Sequence, residues 1–460
     1  MIARSRMLAA SAATLLAGGL LAACTSEAGP PAPAPEPTSP PVVNELTLGV
    51  WGAEAEIETY QRVVDRYNRE SETSQVELVS WRSREAAMAD LRTGEADPDV
   101  YMAARQDLPV LREEGLTRPV DELLDERFVE FGDGYARAAL EAFAIDRRLQ
   151  CMPFAVSPTL MYVNTDLVDF ERMERRGLPV TSSATRWDLE EFAAAAQFAT
   201  KPRRNTRGVH IEPSLRGLAP FIYSGGGSLF DDDEQPTSLA FSSDGTRDAL
   251  ERTLEVLRSS ALTLTPAQLE QADALEWFER GKLGMIAGDR SLVPELRSVE
   301  GLDFDVMPMP TLDSAATVGE LTGLCLNPDT ESVSGSADLL VHLISDQVVR
   351  RLTRAGYLVP ANQNVALSDD FLQPEQQPES AARFTYAVRS MVELPLIEDY
   401  VELIEVTRED VADLVTSPGL LDLEQKTLDI DEASRTVLAP ETETPSPSEG
   451  ADEGDEETGE

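Results

Sequence analysis

The chain has 460 residues, of which 83 are acidic and 39 basic, for a formal net charge of −44. That charge repels nucleic acid and anionic lipid surfaces, which leaves neutral or cationic small molecules as compatible partners. The length exceeds what one apolar core usually organises, and no period of about 20 to 50 residues repeats, so solenoids and propellers are excluded and two domains are expected.

At the amino end, Arg4 and Arg6 precede an apolar run from Met7 to Ala23 that closes on Leu21-Ala22-Ala23-Cys24. The run reaches about 25 Å as a helix, short for a permanent span and normal for a cleaved leader. Residues 1–23 resemble a bacterial lipoprotein signal peptide. The resemblance implies that Cys24 is lipidated and holds the protein on the outer, extracytoplasmic face of the cell membrane. Residues 24–42 then form a tether, because seven prolines lie between Thr25 and Pro41 with almost nothing apolar to bury. Residues 441–460 carry nine acidic side chains and no basic one, and read as a disordered, solubilising tail.

Between these ends the pattern alternates. Glu45 to Trp51 reads as a strand, and Glu54 to Glu70 as an amphipathic helix with Ile57, Tyr60, Val63, Val64 and Tyr67 at helical spacing. Gln75 to Trp81 is a strand, Arg84 to Arg92 a helix, Asp99 to Ala103 a strand and Leu108 to Glu114 a short helix. This succession predicts a parallel sheet covered by helices, with ligands at the carboxyl ends of its strands. The loops Trp51-Gly52-Ala53 and Trp81-Arg82-Ser83 and the turn from Gly94 to Asp99 become candidates.

A second alternating region follows. Cys151 to Val156 and Thr159 to Val163 read as strands, and Asp188 caps a helix from Leu189 to Ala199. A glycine run at Ser224 to Ser228, a helix from Ser243 to Ser259, and strands at Leu283 to Ala287 and Phe304 to Pro310 come next. Cys151 and Cys325 are either a disulfide, the favoured reading in an oxidising compartment, or two separately buried thiols.

Enzyme chemistry lacks its parts. His210 and His342 are far apart, no zinc or thiol spacing is present, and neither a Gly-x-Ser-x-Gly turn nor a phosphate loop occurs. No cofactor or metal is expected. Paired carboxylates of a secreted glycoside hydrolase remain a distant alternative.

Six short motifs in order give the region a family likeness: Val50-Trp51-Gly52, the element from Gly94 to Val100, Pro153 to Pro158 leading to Tyr162-Val163-Asn164, Arg186-Trp187-Asp188, Phe278 to Met285, and Gly356 to Pro360. The chain resembles the extracellular solute-binding proteins of ABC importers, in the maltose-binding group of sugar-binding lipoproteins. The resemblance implies an α/β, periplasmic-binding-protein-like fold, with two lobes that each carry a helix-covered mixed sheet and are joined by crossover hinge strands. Residues 43–152 and 325–373 would form lobe 1, and residues 153–324 and 374–440 lobe 2. The crossings near Cys151 and Cys325 would bring the two cysteines together. A monomer that captures a solute, a mono- or oligosaccharide, and delivers it to ABC permease subunits is the implied function. A receptor for a non-sugar ligand such as a polyamine, or one that feeds a sensor, is the alternative.

A sugar stacks its C–H face on a ring while its hydroxyls bond to polar side chains. Trp51 is the first stacking candidate, against a reading in which it caps the lobe core, and Trp81 is the second, against burial by its own strand. Tyr162 and Asn164 could line the hinge side, or simply end a strand. Gly225 and Gly226 offer close backbone approach, or form a surface loop. Asp289 and Arg290 stand where the family often has an aromatic, which admits a smaller or more polar ligand. Glu320, Tyr357 and Asp97 complete the set, although backbone capping in a tight turn also explains Asp97. Trp187 and Trp277 are assigned to packing.

Overall fold

The computed structural model describes residues 43–131 and 134–440. The expectations for the leader, Cys24, the tether and the acidic tail lie outside the described residues. Among these, no helix is long and apolar enough to cross a membrane.

The strands are, in chain order, β1 (Asn44–Trp51), β2 (Ser74–Trp81), β3 (Val100–Ala104), β4 (Ala144–Ile145), β5 (Arg148–Leu149) and β6 (Cys151–Pro158). They continue as β7 (Leu160–Asn164), β8 (Arg207–His210), β9 (Leu283–Gly288), β10 (Phe304–Met307), β11 (Thr317–Leu326) and β12 (Met391–Val392). The first sheet has the order β12-β11-β3-β1-β2, with β6 on β11, and the second has the order β10-β7-β9-β8. In the first sheet β1 runs parallel to β2 and β3, whereas β11 is antiparallel to β3 and β6.

The helices form where the periodicity places them. Glu54–Glu70 buries Thr59, Tyr60, Val63 and Val64 on one face, with Glu54 and Glu56 at its positive end and Arg69 at its negative end. Each large apolar side chain so buried contributes roughly 1.5–3 kcal/mol. Leu189–Ala199 begins in a reciprocal cap, in which Glu191 N donates to Asp188 Oδ1 at 2.8 Å and Asp188 N to Glu191 Oε2 at 2.9 Å. Trp187 and Trp277 are buried, and their indole N–H groups donate to Pro308 O at 2.8 Å and Gln268 O at 3.1 Å.

One apolar cluster gathers Leu46, Tyr60, Tyr101, Phe143, Val156 and Leu340, and belongs to the first sheet. Two others, around Phe192 and Phe221 and around Tyr162 and Phe304, pack on the two faces of the second sheet. Along the chain the clusters change over between Val156 and Leu160, between Val318 and Leu321, and between Val365 and Phe371, with Val359 alone of its segment packing on the second sheet's side. Strands β6 and β11 therefore carry the chain across, paired side by side from Gly319 and Pro158 to Cys325 and Cys151. The two cysteines are joined by a disulfide, with Cα atoms 4.2 Å apart.

Candidate functional site

Strands β1 and β2 stay in register to their last residues, which places Trp51 beside Trp81 at the carboxyl edge of the first sheet. Gly52 leaves β1 at φ 152°, and a Cβ there would stand 2.4 Å from Glu56 Oε2, so the glycine lets the Glu56 carboxylate fold back beside the strand end.

A groove of about 930 Å³ opens over this edge. Trp51, Glu56 and Arg84 line it from the first lobe, Arg216 and Leu292 from the second, and Glu320 from β11. A recess of about 130 Å³ adjoins it, lined by Trp51, Glu56, Tyr60, Asp289, Glu320 and Tyr357 among others.

The charges are arranged by local structure. Arg84 opens the helix Arg84–Thr93 and forks onto Asp107, its Nη2 donating to Oδ1 at 2.7 Å and its Nε donating at 3.0 and 3.1 Å. Arg216 is held at the start of the helix Leu215–Ser224, where Ser214 Oγ accepts from Gly217 N at 3.1 Å. Its guanidinium lies 3.5 Å from Asp289 Oδ2 and 3.8 Å from Glu320 Oε2, which links the second lobe to the crossover strand. Burial and the neighbouring Asp289 charge push Glu56 up to about 7. Burial also raises Glu320, against the opposing pull of Arg216 and Arg84.

Four of the residues singled out in the sequence meet here: Trp51, Asp289, Glu320 and Tyr357. The others lie elsewhere. Trp81 is 8 % exposed, packs over Gly49 and donates its indole N–H to Asp90 Oδ2 at 2.7 Å. Asp97 precedes β3 and so sits toward the amino edge of the sheet, where it accepts from the Asn327 amide. Tyr162 is fully buried against Phe304 and Phe384, and its hydroxyl donates to the Asp289 carbonyl at 2.5 Å. Asn164 lies at the end of β7 away from Gly288, caps the next turn through Asp166 N at 3.1 Å, and is buried.

Gly225 and Gly226 end the helix that Arg216 begins, about 13 Å away along its axis. A Cβ at Gly225 would meet that of Ala249 at 2.5 Å, so close helix packing explains this glycine. Arg290 is fully buried, donates to Gly356 O and Phe371 O at 3.2 Å each, and stacks 4.6 Å from the Phe371 ring centroid. It staples the loop carrying Asp289 to the segment carrying Tyr357, and its burial lowers it to about 10.

The sequence reading passed over Glu56, Tyr60, Arg84, Asp107 and Arg216 as site residues. Glu56 had a usable signal, since it lies one helical turn beyond the Trp51-Gly52-Ala53 loop. Arg216 had none, because only the packing of its helix against β11 brings it to the groove.

A groove lined by rings and charged side chains, between two lobes joined by paired crossing strands, defines a receptor of the hinged, clamshell class. The chain belongs to the bacterial extracellular solute-binding protein family, whose model matches residues 63–379. No curated protein matches the sequence. Among solved structures, the ABC substrate-binding protein Lmo0181 from Listeria monocytogenes, in complex with cycloalternan, is similar at a TM-score of 0.72 and 16 % identity, over 86 % of this chain and 99 % of that one. The GacH receptor of Streptomyces glaucescens, solved unliganded and with acarbose, gives 0.70 at 18 % identity over 86 % and 99 %. The maltose-maltodextrin binding protein of Alicyclobacillus acidocaldarius gives 0.67 at 20 % identity over 85 % and 100 %. The shared fold is the periplasmic-binding-protein-like one that the motifs implied.

Proposed function

We propose that the protein is a lipid-anchored, extracytoplasmic receptor that captures a saccharide between its lobes and delivers it, chemically unchanged, to the permease of an ABC importer. The observation that carries this reading is the groove at the β6 and β11 crossing, with walls from both lobes. Trp51 and Tyr357 supply rings for the C–H face of a sugar, and Glu56, Asp289, Glu320 and Arg216 supply acceptors and donors for its hydroxyls. One structural relative is a maltose-maltodextrin binding protein, which supports the same ligand class. Cys24 would carry the lipid, the receptor would act as a monomer, and neither cofactor nor metal would take part. Calorimetric titration of the purified protein with maltose, maltodextrins and other saccharides should give one site per chain, and chromatography should recover each sugar intact. Failure of every saccharide to bind, or cleavage of a glycosidic bond, would remove the reading.

A further inference from the structure

The recess beside the groove is walled by three carboxylates, Glu56, Asp289 and Glu320, and none of its lining residues is a lysine, arginine or histidine. The nearest cations are committed or peripheral. Arg84 is forked onto Asp107, and Arg216, with its side chain 45 % exposed, is shared between Asp289 and Glu320 at 3.5 and 3.8 Å. The acidic groups of the recess therefore outnumber the cations that face them.

Two buried polar atoms on the same wall also lack partners among the described residues. The Tyr60 hydroxyl belongs to a side chain only 2 % exposed, and Glu320 Oε1 is likewise unpartnered. A buried polar atom without a hydrogen bond costs free energy that a bound group can return. The rest of the wall is aromatic, with Trp51, Phe154 and Tyr357 beside Tyr60. No group of three or more metal-ligating side chains is gathered among the described residues, so the carboxylates are not arranged to share one metal ion. Dispersed acceptors and ring faces around a small volume match an ammonium group, whose N–H bonds point in several directions and whose charge is attracted to aromatic faces.

We propose that this recess holds a protonated nitrogen of the ligand, so that the cleft takes an amine-bearing saccharide with its ammonium among Glu56, Asp289 and Glu320. The proposal rests on the saccharide reading above for the part of the ligand that fills the groove. The upward shift of Glu56 in the free protein fits a site whose positive charge arrives with the ligand.

The test is calorimetric titration with four probes: a glucosamine trimer, its fully N-acetylated form, the corresponding glucose trimer, and spermidine. The glucosamine trimer should bind at least about tenfold more tightly than its acetylated and glucose counterparts, a difference of about 1.4 kcal/mol. Glu56→Gln and Tyr60→Phe should each reduce that preference at least about threefold while circular dichroism shows a folded chain. Equal affinity for the three saccharides overturns the nitrogen site and leaves the saccharide receptor standing. Binding of spermidine with no saccharide bound does the reverse. A preference that survives both substitutions, or failure of all four probes to bind, also overturns the proposal.

Discussion

Glu56 stands in the first turn of its helix with its carboxylate turned back over Gly52, half-buried and facing Asp289. Tyr60 and Tyr357 face the same carboxylate, and burial together with its charge pushes both up, so they stay neutral phenols beside it. With Glu56 raised from 4.5 to about 7, the folded chain keeps a proton that the unfolded chain releases. The stability tied to that proton is complete below about pH 4.5 and is lost as pH rises through about 7. Glu56→Gln is neutral at every pH. In urea titrations it should match the parent at pH 4 and exceed it by about 1–2 kcal/mol at pH 8. A variant that gains stability there while losing ligand would separate binding from folding. Trp51→Ala addresses the other half of the site: the ring is only partly buried and lines both groove and recess. Saccharide affinity should fall about tenfold or more, with little change in the unfolding midpoint. Unchanged affinity would take the ring out of the ligand's path.

At the scale of elements, legibility followed locality. The helix Glu54–Glu70 could be bounded from sequence because its apolar positions repeat every helical turn, and Leu189–Ala199 because Asp188 and Glu191 mark its start. Strand β11 escaped that reading over most of its length. Gly319 and Gly323 interrupt its pattern, and each is there for close approach: a Cβ at Gly323 would meet the Phe143 ring at 2.7 Å, and one at Gly319 the Ser157 carbonyl at 2.5 Å. What holds β11 as a strand is β3 on one side and β6 on the other, contacts that span long stretches of chain. The same cause hid Arg216. Trp51 and Glu320, singled out at a strand end and before the second crossing, do line the groove, whereas Tyr162 and Asn164, equally near a motif, turn inward to the second core.

The disulfide between Cys151 and Cys325 closes a loop of 174 positions and ties β6 to β11 at the first-lobe end of the crossing. Paired Cys→Ala replacement should cost about 2–4 kcal/mol in urea titrations, mainly by freeing the unfolded chain. Thiol titration of the denatured, unreduced protein should find neither cysteine reactive; two free thiols would remove the bridge.

For the whole molecule, the decisive property is that two packed bodies meet through paired strands with a groove beside them. Cores resist deformation because their packing is close to crystalline, whereas crossing strands can rotate with small changes in backbone angle. Trp51 and Glu56 face the groove from the first lobe and Arg216 from the second, so a ligand that binds both walls gains its full set of contacts only when the walls approach. Closure then follows from differential affinity: a ligand that touches both walls favours the closed arrangement, and one that touches a single wall shifts nothing. Small-angle scattering of the protein saturated with a bound saccharide should show a smaller radius of gyration than the free protein. At 100 times its dissociation constant the same ligand should add about 2.7 kcal/mol to the unfolding free energy. Arg216→Ala separates the two effects, because it removes the second lobe's charged contact in the groove while sparing Trp51 and Glu56 on the first. This variant should retain part of the stabilisation and lose most of the contraction. Full contraction without Arg216 would place the closing force elsewhere on the groove walls.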